Sequence, residues 1–284
     1  MPGYTKQVRF SKLPVALLAL CLSFAGIYRL SASPASLGNR QSLAGKTDSS
    51  KYTSLHGAII RGNIHTRRIA LVFTGDEFAD GGTYIARTLK EYQVNASFFL
   101  TGRFYRNRKF SKIISLLIRN GNYMGVHSDA HLLYCDWEKR DSLLVTHKQF
   151  TDDLDRAYSE LKKWHIPRDS ARYFLPPYEW YNDTIASWTS RLGLQLVNFT
   201  PGTRSNADYT YPEMDGHYLS SDTIMRSVLK YKDESPNGLN GFILLIHIGT
   251  DPRRHDKFYK RLPQLIRQLK SEGYRFCRID QLLQ

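Results

Sequence analysis

The chain has 284 residues, 40 of them Lys or Arg and 26 Asp or Glu, for a formal charge of +14. That length can bury a full core and matches one α/β barrel of ordinary size. Three cysteines, one of them inside an N-terminal apolar run, are too few for a disulfide framework, so stability has to come from packing. The positive charge is scattered in short groups such as Arg67-Arg68, Arg106 to Lys109 and Arg253-Arg254. In an exported protein it favours anionic envelope polymers over nucleic acid as the partner.

Lys6, Arg9 and Lys12 precede a mostly apolar run from Leu13 to Ile27, with small residues Ser23, Ala25 and Gly26 near its end and Arg29 beyond it. That order is a secretory signal or an uncleaved membrane anchor over residues 1–30, and either one exports the folded part to the periplasm, the envelope or the medium. Leu20 precedes Cys21 where a lipoprotein signal needs a small residue, which argues against a lipid anchor. Residues 31–56, rich in Ser, Gly and Ala, read as a flexible spacer, and a single domain is expected over residues 57–284.

From there, short β-branched or aromatic runs alternate with longer amphipathic ones. Strands are predicted at Ile69 to Phe73, Ala96 to Leu100, Asn122 to Val126, Arg172 to Leu175, Leu194 to Phe199, Phe242 to His247 and Arg275 to Ile279. Helices are predicted at Thr83 to Tyr92, Lys109 to Arg119, Lys148 to Trp164, Asp183 to Leu192, Asp222 to Tyr231 and Lys257 to Glu272. This alternation is that of parallel βαβ units. Seven strands suit a barrel better than an open sheet with a nucleotide crevice. No Gly-rich phosphate loop follows the first strand, because Gly81-Gly82 lacks a third glycine or a Lys-Ser/Thr ending. The expected fold is α/β: a distorted (β/α) barrel with about seven parallel strands in one domain.

Two strands feed directly into chemistry-bearing residues. Ile69 to Phe73 leads into Thr74-Gly75-Asp76-Glu77, and Asn122 to Val126 leads into His127-Ser128-Asp129-Ala130-His131. Strand carboxyl ends face the functional mouth of a barrel, so both groups open onto one end. Two imidazoles four residues apart can turn toward one metal ion from a helical turn or tight loop, with a carboxylate as the anionic ligand. The same spacing also occurs on solvated helix faces, so it does not decide the matter alone. Tyr134, Trp137, Tyr178, Trp180, Tyr181, Tyr209 and Tyr211 lie near these motifs and are suited either to stacking on sugar rings or to capping the mouth. His65, His147, His165, His217 and His255 have no comparable context and read as surface residues.

In order, over roughly residues 68 to 283, these motifs resemble the polysaccharide deacetylases of the NodB-homology family, carbohydrate esterase family 4. His127-Ser128-Asp129-Ala130-His131 matches the family's His, Ser or Thr, two variable residues, His motif. Leu245-Ile246-His247 matches its late Leu-x-His motif, and Pro176-Pro177-Tyr178 matches the tail of its Arg-Pro-Pro-Tyr motif. The resemblance implies a metal-dependent hydrolase that removes N- or O-linked acetyl groups from an envelope or extracellular polysaccharide. It implies a divalent metal, zinc foremost with Co2+, Ni2+ or Mn2+ as alternatives, held by Glu77, His127 and His131. Asp76 becomes the base and His247 the general acid, although by its strand alone His247 reads as a core-edge histidine. The oxyanion would rest on the metal and the Tyr178 N–H, with Pro177 and Trp180 beside it and Leu245 walling the acetyl methyl. Asp208 is either the partner that orients His247 or a solvated loop carboxylate.

Two positions depart from the family pattern. The opening motif, usually Thr-Phe-Asp-Asp, reads Thr74-Gly75-Asp76-Glu77, with Asp80 as the reserve ligand. Leu175 stands where the family places an Arg that pairs with the base, removing a cation that favours the ionised form. Arg172 or Arg204 is expected to replace it. A catalytically weakened barrel that binds glycan without turnover, and a metal-dependent amidase for small substrates, are the competing readings. Oligomeric state is left open by the sequence.

Overall fold

The structure, a computed structural model, describes residues 51–284. The expected signal or anchor, and the spacer as far as residue 50, lie outside the described residues. Thr53–Leu55 (β1), inside the stretch read as spacer, and Ala58–Arg61 (β2) form an antiparallel hairpin. Its two-residue turn places His56 at φ 45° and Gly57 at φ 77°, the pair of positive φ values that matches hairpin twist. Periodicity did not announce this hairpin because β1 is only three residues long and wholly exposed.

Seven parallel strands follow among the described residues: Arg68–Gly75 (β3), Ser97–Leu100 (β4), Tyr123–Val126 (β5), Tyr173–Phe174 (β6), Gln195–Leu196 (β7), Phe242–His247 (β8) and Arg275–Cys277 (β9). Helices Gly82–Glu91 (α1), Gly102–Arg106 (α2), Ser111–Arg119 (α3), His147–Lys162 (α4), Asp183–Arg191 (α5), Ser221–Glu234 (α6) and Leu262–Ser271 (α7) lie between them, and Ile279–Leu282 (α8) ends the chain. The sheet order is β1-β2-β8-β3-β4-β5-β6-β7, with β9 against the start of β3. Beyond β7 the chain returns to β2: Val197 bridges Ile59, and the Asn198 N–H donates to the Ile59 carbonyl at 2.9 Å. The sheet therefore curls into the distorted barrel expected from the alternation.

The expected strands at Arg172 to Leu175 and Leu194 to Phe199 shrink to two residues each. Pro176 and Pro177 have no N–H to donate to a ladder, and after Leu196 the chain crosses to β2. The long helix expected from Lys257 starts as a 3-10 turn, Phe258–Arg261, and becomes α7 at Leu262 with Pro263 in its first turn, where a missing N–H costs nothing.

Alternation along the strands sorts two cores. Ile69, Leu71 and Phe73 of β3 face the helices, whereas Ala70 and Val72 join Phe99, Tyr123, Tyr173, Leu175, Val197, Ile243 and Leu245 inside the barrel. Ile279 and Leu282 of α8 complete that inner cluster, and the Ile279 N–H donates to Ser97 Oγ at the start of β4. The barrel is thus plugged where its strands begin, leaving chemistry to the opposite mouth. No helix of the described residues is long and apolar enough to cross a membrane.

Candidate active site

At the end of β3, Asp76 is held on several sides. Its Oδ1 accepts from Thr101 Oγ1 at 2.8 Å and from Arg103 Nε at 3.1 Å, and Arg103 also grips Oδ2. The cation beside Asp76 therefore comes from α2. Neither expected substitute does this: Arg172 lies over the Tyr173 ring at 5.4 Å, and Arg204 is exposed at the start of the turn Ser205–Tyr209. Gly75 makes the contact possible. A Cβ there would fall 2.5 Å from Ile248 and 2.9 Å from Leu100, with Phe104 of α2 at 3.1 Å. Without a side chain at 75, α2 packs close enough for Arg103 to reach across.

β5 delivers His127 into the barrel, where it is 2% exposed. Its Nδ1 lies 2.8 Å from the Leu175 carbonyl, an acceptor only, so Nδ1 carries the proton and Nε2 keeps its lone pair. Leu175 thus has its side chain in the inner core and its backbone on the histidine. His127 and His131 lie with ring centroids 5.0 Å apart on a tight loop rather than a helix, Ser128 and His131 having φ 68° and 55°. Asp153, fully buried on α4, braces that loop by accepting from the N–H groups of Asp129 and Ala130 at 3.0 and 3.1 Å. Burial, reinforced by His131, lowers the His127 pKa to about 3. Burial, reinforced by Arg103, lowers that of His131 to about 4. Both imidazoles are therefore neutral near pH 7.

The two prolines lead into a backbone that is left-handed twice, at Tyr178 (φ 58°) and Glu179 (φ 54°). Each such residue stores about 1–3 kcal/mol that the surroundings must hold in place. The Tyr178 ring, 44% exposed, stands edge-on to His131 and Trp137, and its N–H has no partner among the described residues. Trp180 is half-buried between Trp137 and Arg140, whose guanidinium lies 3.6 Å from the ring centre, while Pro177 is buried and sets the turn. Glu179 was not singled out from the sequence. Its side chain is 11% exposed, with Oε1 3.9 Å from His127 Nε2, and burial raises its pKa to about 7.

On β8, His247 Nδ1 meets Asp208 Oδ1 at 2.6 Å, and the His247 N–H donates to Oδ2 at 3.0 Å. Asp208 is 1% exposed, so it is the orienting partner and not a solvated loop carboxylate. Burial works to lower the His247 pKa, but the charge and hydrogen bond of Asp208, with Glu179 adding to them, outweigh it, and the net shift is upward. Fully buried Arg254 fixes this loop through the carbonyls of Thr210 and Leu219. Leu245 pairs in register with Val72 inside the barrel, one pleat beneath His247.

The carboxylates expected to reach a metal do not gather there. Glu77 is exposed and makes no hydrogen bond or ion pair among the described residues. Asp80 is occupied instead, accepting from the Thr250 N–H at 2.9 Å and the Tyr259 hydroxyl at 3.1 Å beside Lys257, so it ties two loops together and is no reserve ligand. No group of three His, Cys, Asp or Glu among the described residues stands close enough to hold an ion as it is. The imidazole pair does suit a divalent ion, being neutral with the His127 Nε2 lone pair free and its Nδ1 anchored. The third donor named from sequence is what fails to fit.

The mouth thus joins a clamped carboxylate, two neutral imidazoles and a His–Asp pair. A family model described as Polysaccharide deacetylase matches residues 62–197. Over those residues the chain is similar to the polysaccharide deacetylases. The chain is 26% identical over 229 residues to the peptidoglycan-N-acetylmuramic acid deacetylase PdaA of Bacillus subtilis, covering 80% of this chain and 76% of that one. The solved structure of B. subtilis PdaA, a family 4 carbohydrate esterase, matches with a TM-score of 0.61 over 80% of this chain and 85% of that chain at 24% identity. A peptidoglycan-N-acetylglucosamine deacetylase of Bacillus cereus is 24% identical over 69% of this chain and 78% of its own. A family 4 pseudoenzyme from Bacillus anthracis shares the fold, with TM-score 0.60 at 19% identity over 81% of this chain and 70% of its own.

Proposed function

We propose that this deacetylase domain hydrolyses N- or O-acetyl groups on an envelope polysaccharide, peptidoglycan foremost, as an exported enzyme with a divalent metal. The observation that carries this reading is the convergence of the Arg103-clamped Asp76, the His127–His131 pair and the His247–Asp208 pair on one mouth. The peptidoglycan substrates of two relatives give the substrate class.

Asp76 serves as the base that takes a proton from the attacking water, kept as an acceptor by Thr101 and Arg103. The unpaired Tyr178 N–H is the donor available to the developing oxyanion. His247, its Nδ1 committed to Asp208, presents Nε2 to protonate the departing amine or alcohol. A divalent ion, zinc foremost, bound at His127 and His131, would supply Lewis acidity toward water and the acetyl carbonyl. The exposed Tyr178 ring, backed by Trp137 and Trp180, offers an apolar face to a sugar ring.

The test is acetate release from peptidoglycan and from acetylated oligosaccharides, with and without chelator. Chelator-sensitive release supports the proposal, and no release from any acetylated glycan with zinc supplied overturns it. Tight glycan binding without release, unchanged by His247→Ala, would instead establish a binding barrel.

A further inference from the structure

Helix α2 is five residues long, and every one of them except Phe104 bonds to the end of β3 or β5 or to the loop beyond. Thr101 caps it by accepting the Phe104 N–H at Oγ1, and the same hydroxyl donates to Asp76 beside Arg103. On its other side α2 holds the imidazole loop. The N–H groups of Gly102 and Arg103 donate to the carbonyls of Ser128 and Asp129 at 2.9 and 3.2 Å. The Tyr105 hydroxyl donates to the Gly125 carbonyl of β5 at 2.7 Å. Arg106 forks onto the Asp129 carboxylate, between the two histidines in sequence, with Nη1 to Oδ1 at 2.5 Å and Nη2 to Oδ2 at 3.1 Å.

The Asp129 side chain is 6% exposed, and a carboxylate so buried needs a partner held in good geometry. Arg156 of α4 comes no nearer than 3.5 Å and makes no such fork. Gly102 gives the fork its room. A Cβ there would fall 1.9 Å from Asp129 Oδ1 and 3.0 Å from Arg106 Nη1, so the carboxylate occupies the space a side chain at 102 would take. Arg103 and Arg106 are i, i+3 neighbours on the helix surface. One grips the base, and the other grips the loop that carries His127 and His131.

We infer that α2 sets the separation between Asp76 and the imidazole pair, and that Arg106 is a positioning residue for the hydrolysis, acting through Asp129. The inference rests on the deacetylase reading above. The test measures kcat and KM for acetate release from peptidoglycan fragments by the unaltered chain, Arg106→Ala, Arg106→Lys, Asp129→Ala, Gly102→Ala and the double variant Arg106→Ala/Asp129→Ala. Arg168→Ala, which breaks the pair with exposed Asp155 of α4, is the control for lost stability. Rates are referred to the folded fraction read by circular dichroism.

Misplacing reacting groups by about 1 Å costs about 10²-fold, so losing one of several ties should lower kcat about tenfold in Arg106→Ala and in Asp129→Ala, with KM within about threefold. The double variant should lose no more than either single one, because both remove the same fork. Gly102→Ala should lose as much by driving Asp129 from its seat, and Arg106→Lys should recover part of the rate. Arg168→Ala should keep its kcat. An unchanged kcat in Arg106→Ala, losses that multiply in the double variant, or an equal loss in Arg168→Ala overturns the inference and leaves the deacetylase reading standing. An unaltered chain that releases no acetate removes that reading and the positioning role with it.

Discussion

Arg103 on α2 grips both carboxylate oxygens of Asp76 on β3, whereas the strand leading into Pro176 offers Leu175 and no arginine. A general base contributes about 10²–10⁴-fold to such hydrolysis, and losing its clamp forfeits part of that. Arg103→Ala is expected to lower kcat on acetylated glycan about tenfold or more with KM little changed. Arg103→Lys, a point charge without the planar fork, should recover only part. Steady-state acetate release checks both, and an unchanged kcat in Arg103→Ala would show that the grip is incidental.

The His247–Asp208 pair sets a pH limit. Because the His247 pKa is raised, its protonated form, needed to donate to the leaving group, survives to higher pH than an ordinary imidazole allows. Asp208→Asn removes the charge that raises it, so the alkaline limb of kcat/KM should move to lower pH. The same shift means the pair adds stability below the ordinary histidine range, and that contribution is lost as pH rises through the folded-state value. A pH–rate profile that does not move would separate Asp208 from the proton transfer.

Asp153→Ala leaves the N–H groups of Asp129 and Ala130 without their acceptor inside a fully buried site. The expected cost is about 3 kcal/mol in urea unfolding, since hydrogen bonds to a charged group are worth about 1.5–3 kcal/mol each and orphaned donors add to the loss. Zn2+ affinity should fall as well, because the loop that presents His131 loses its brace.

Cys135 and Cys277 are free and buried, and burial raises each thiol to about 11. Neither should react with iodoacetamide at pH 8 in the folded protein, and both should react after denaturation, as counted by mass spectrometry. Rapid labelling of the native chain would contradict the packing at both positions.

The seven parallel strands were legible because buried runs such as Ile69 to Phe73 and Phe242 to His247 have no other plausible use between amphipathic helices. The β1–β2 hairpin and α2 were not. β1 is exposed and three residues long, and Gly102 to Arg106 is too short for a helical period to show. In the site, strand ends announced Asp76, His127 and His247 through local apolar runs. Arg103 pairs with Asp76 and Glu179 lies beside His127 across the mouth, neighbours that only the closed sheet brings near, and Glu77, adjacent to Asp76 in sequence, is turned out to solvent. Asp153 did leave a trace, as a carboxylate beside Phe150, Leu154 and Ala157 on the apolar stripe of α4.

The bare backbone at Gly75 has a consequence for descent and for engineering. A phenylalanine, which the family pattern described above has at that position, would collide at once with Ile248, Leu100 and Phe104. Replacing the glycine alone would therefore push α2, and Arg103 with it, away from Asp76. The short helix with its arginine must be transplanted together with the glycine, as one heritable block.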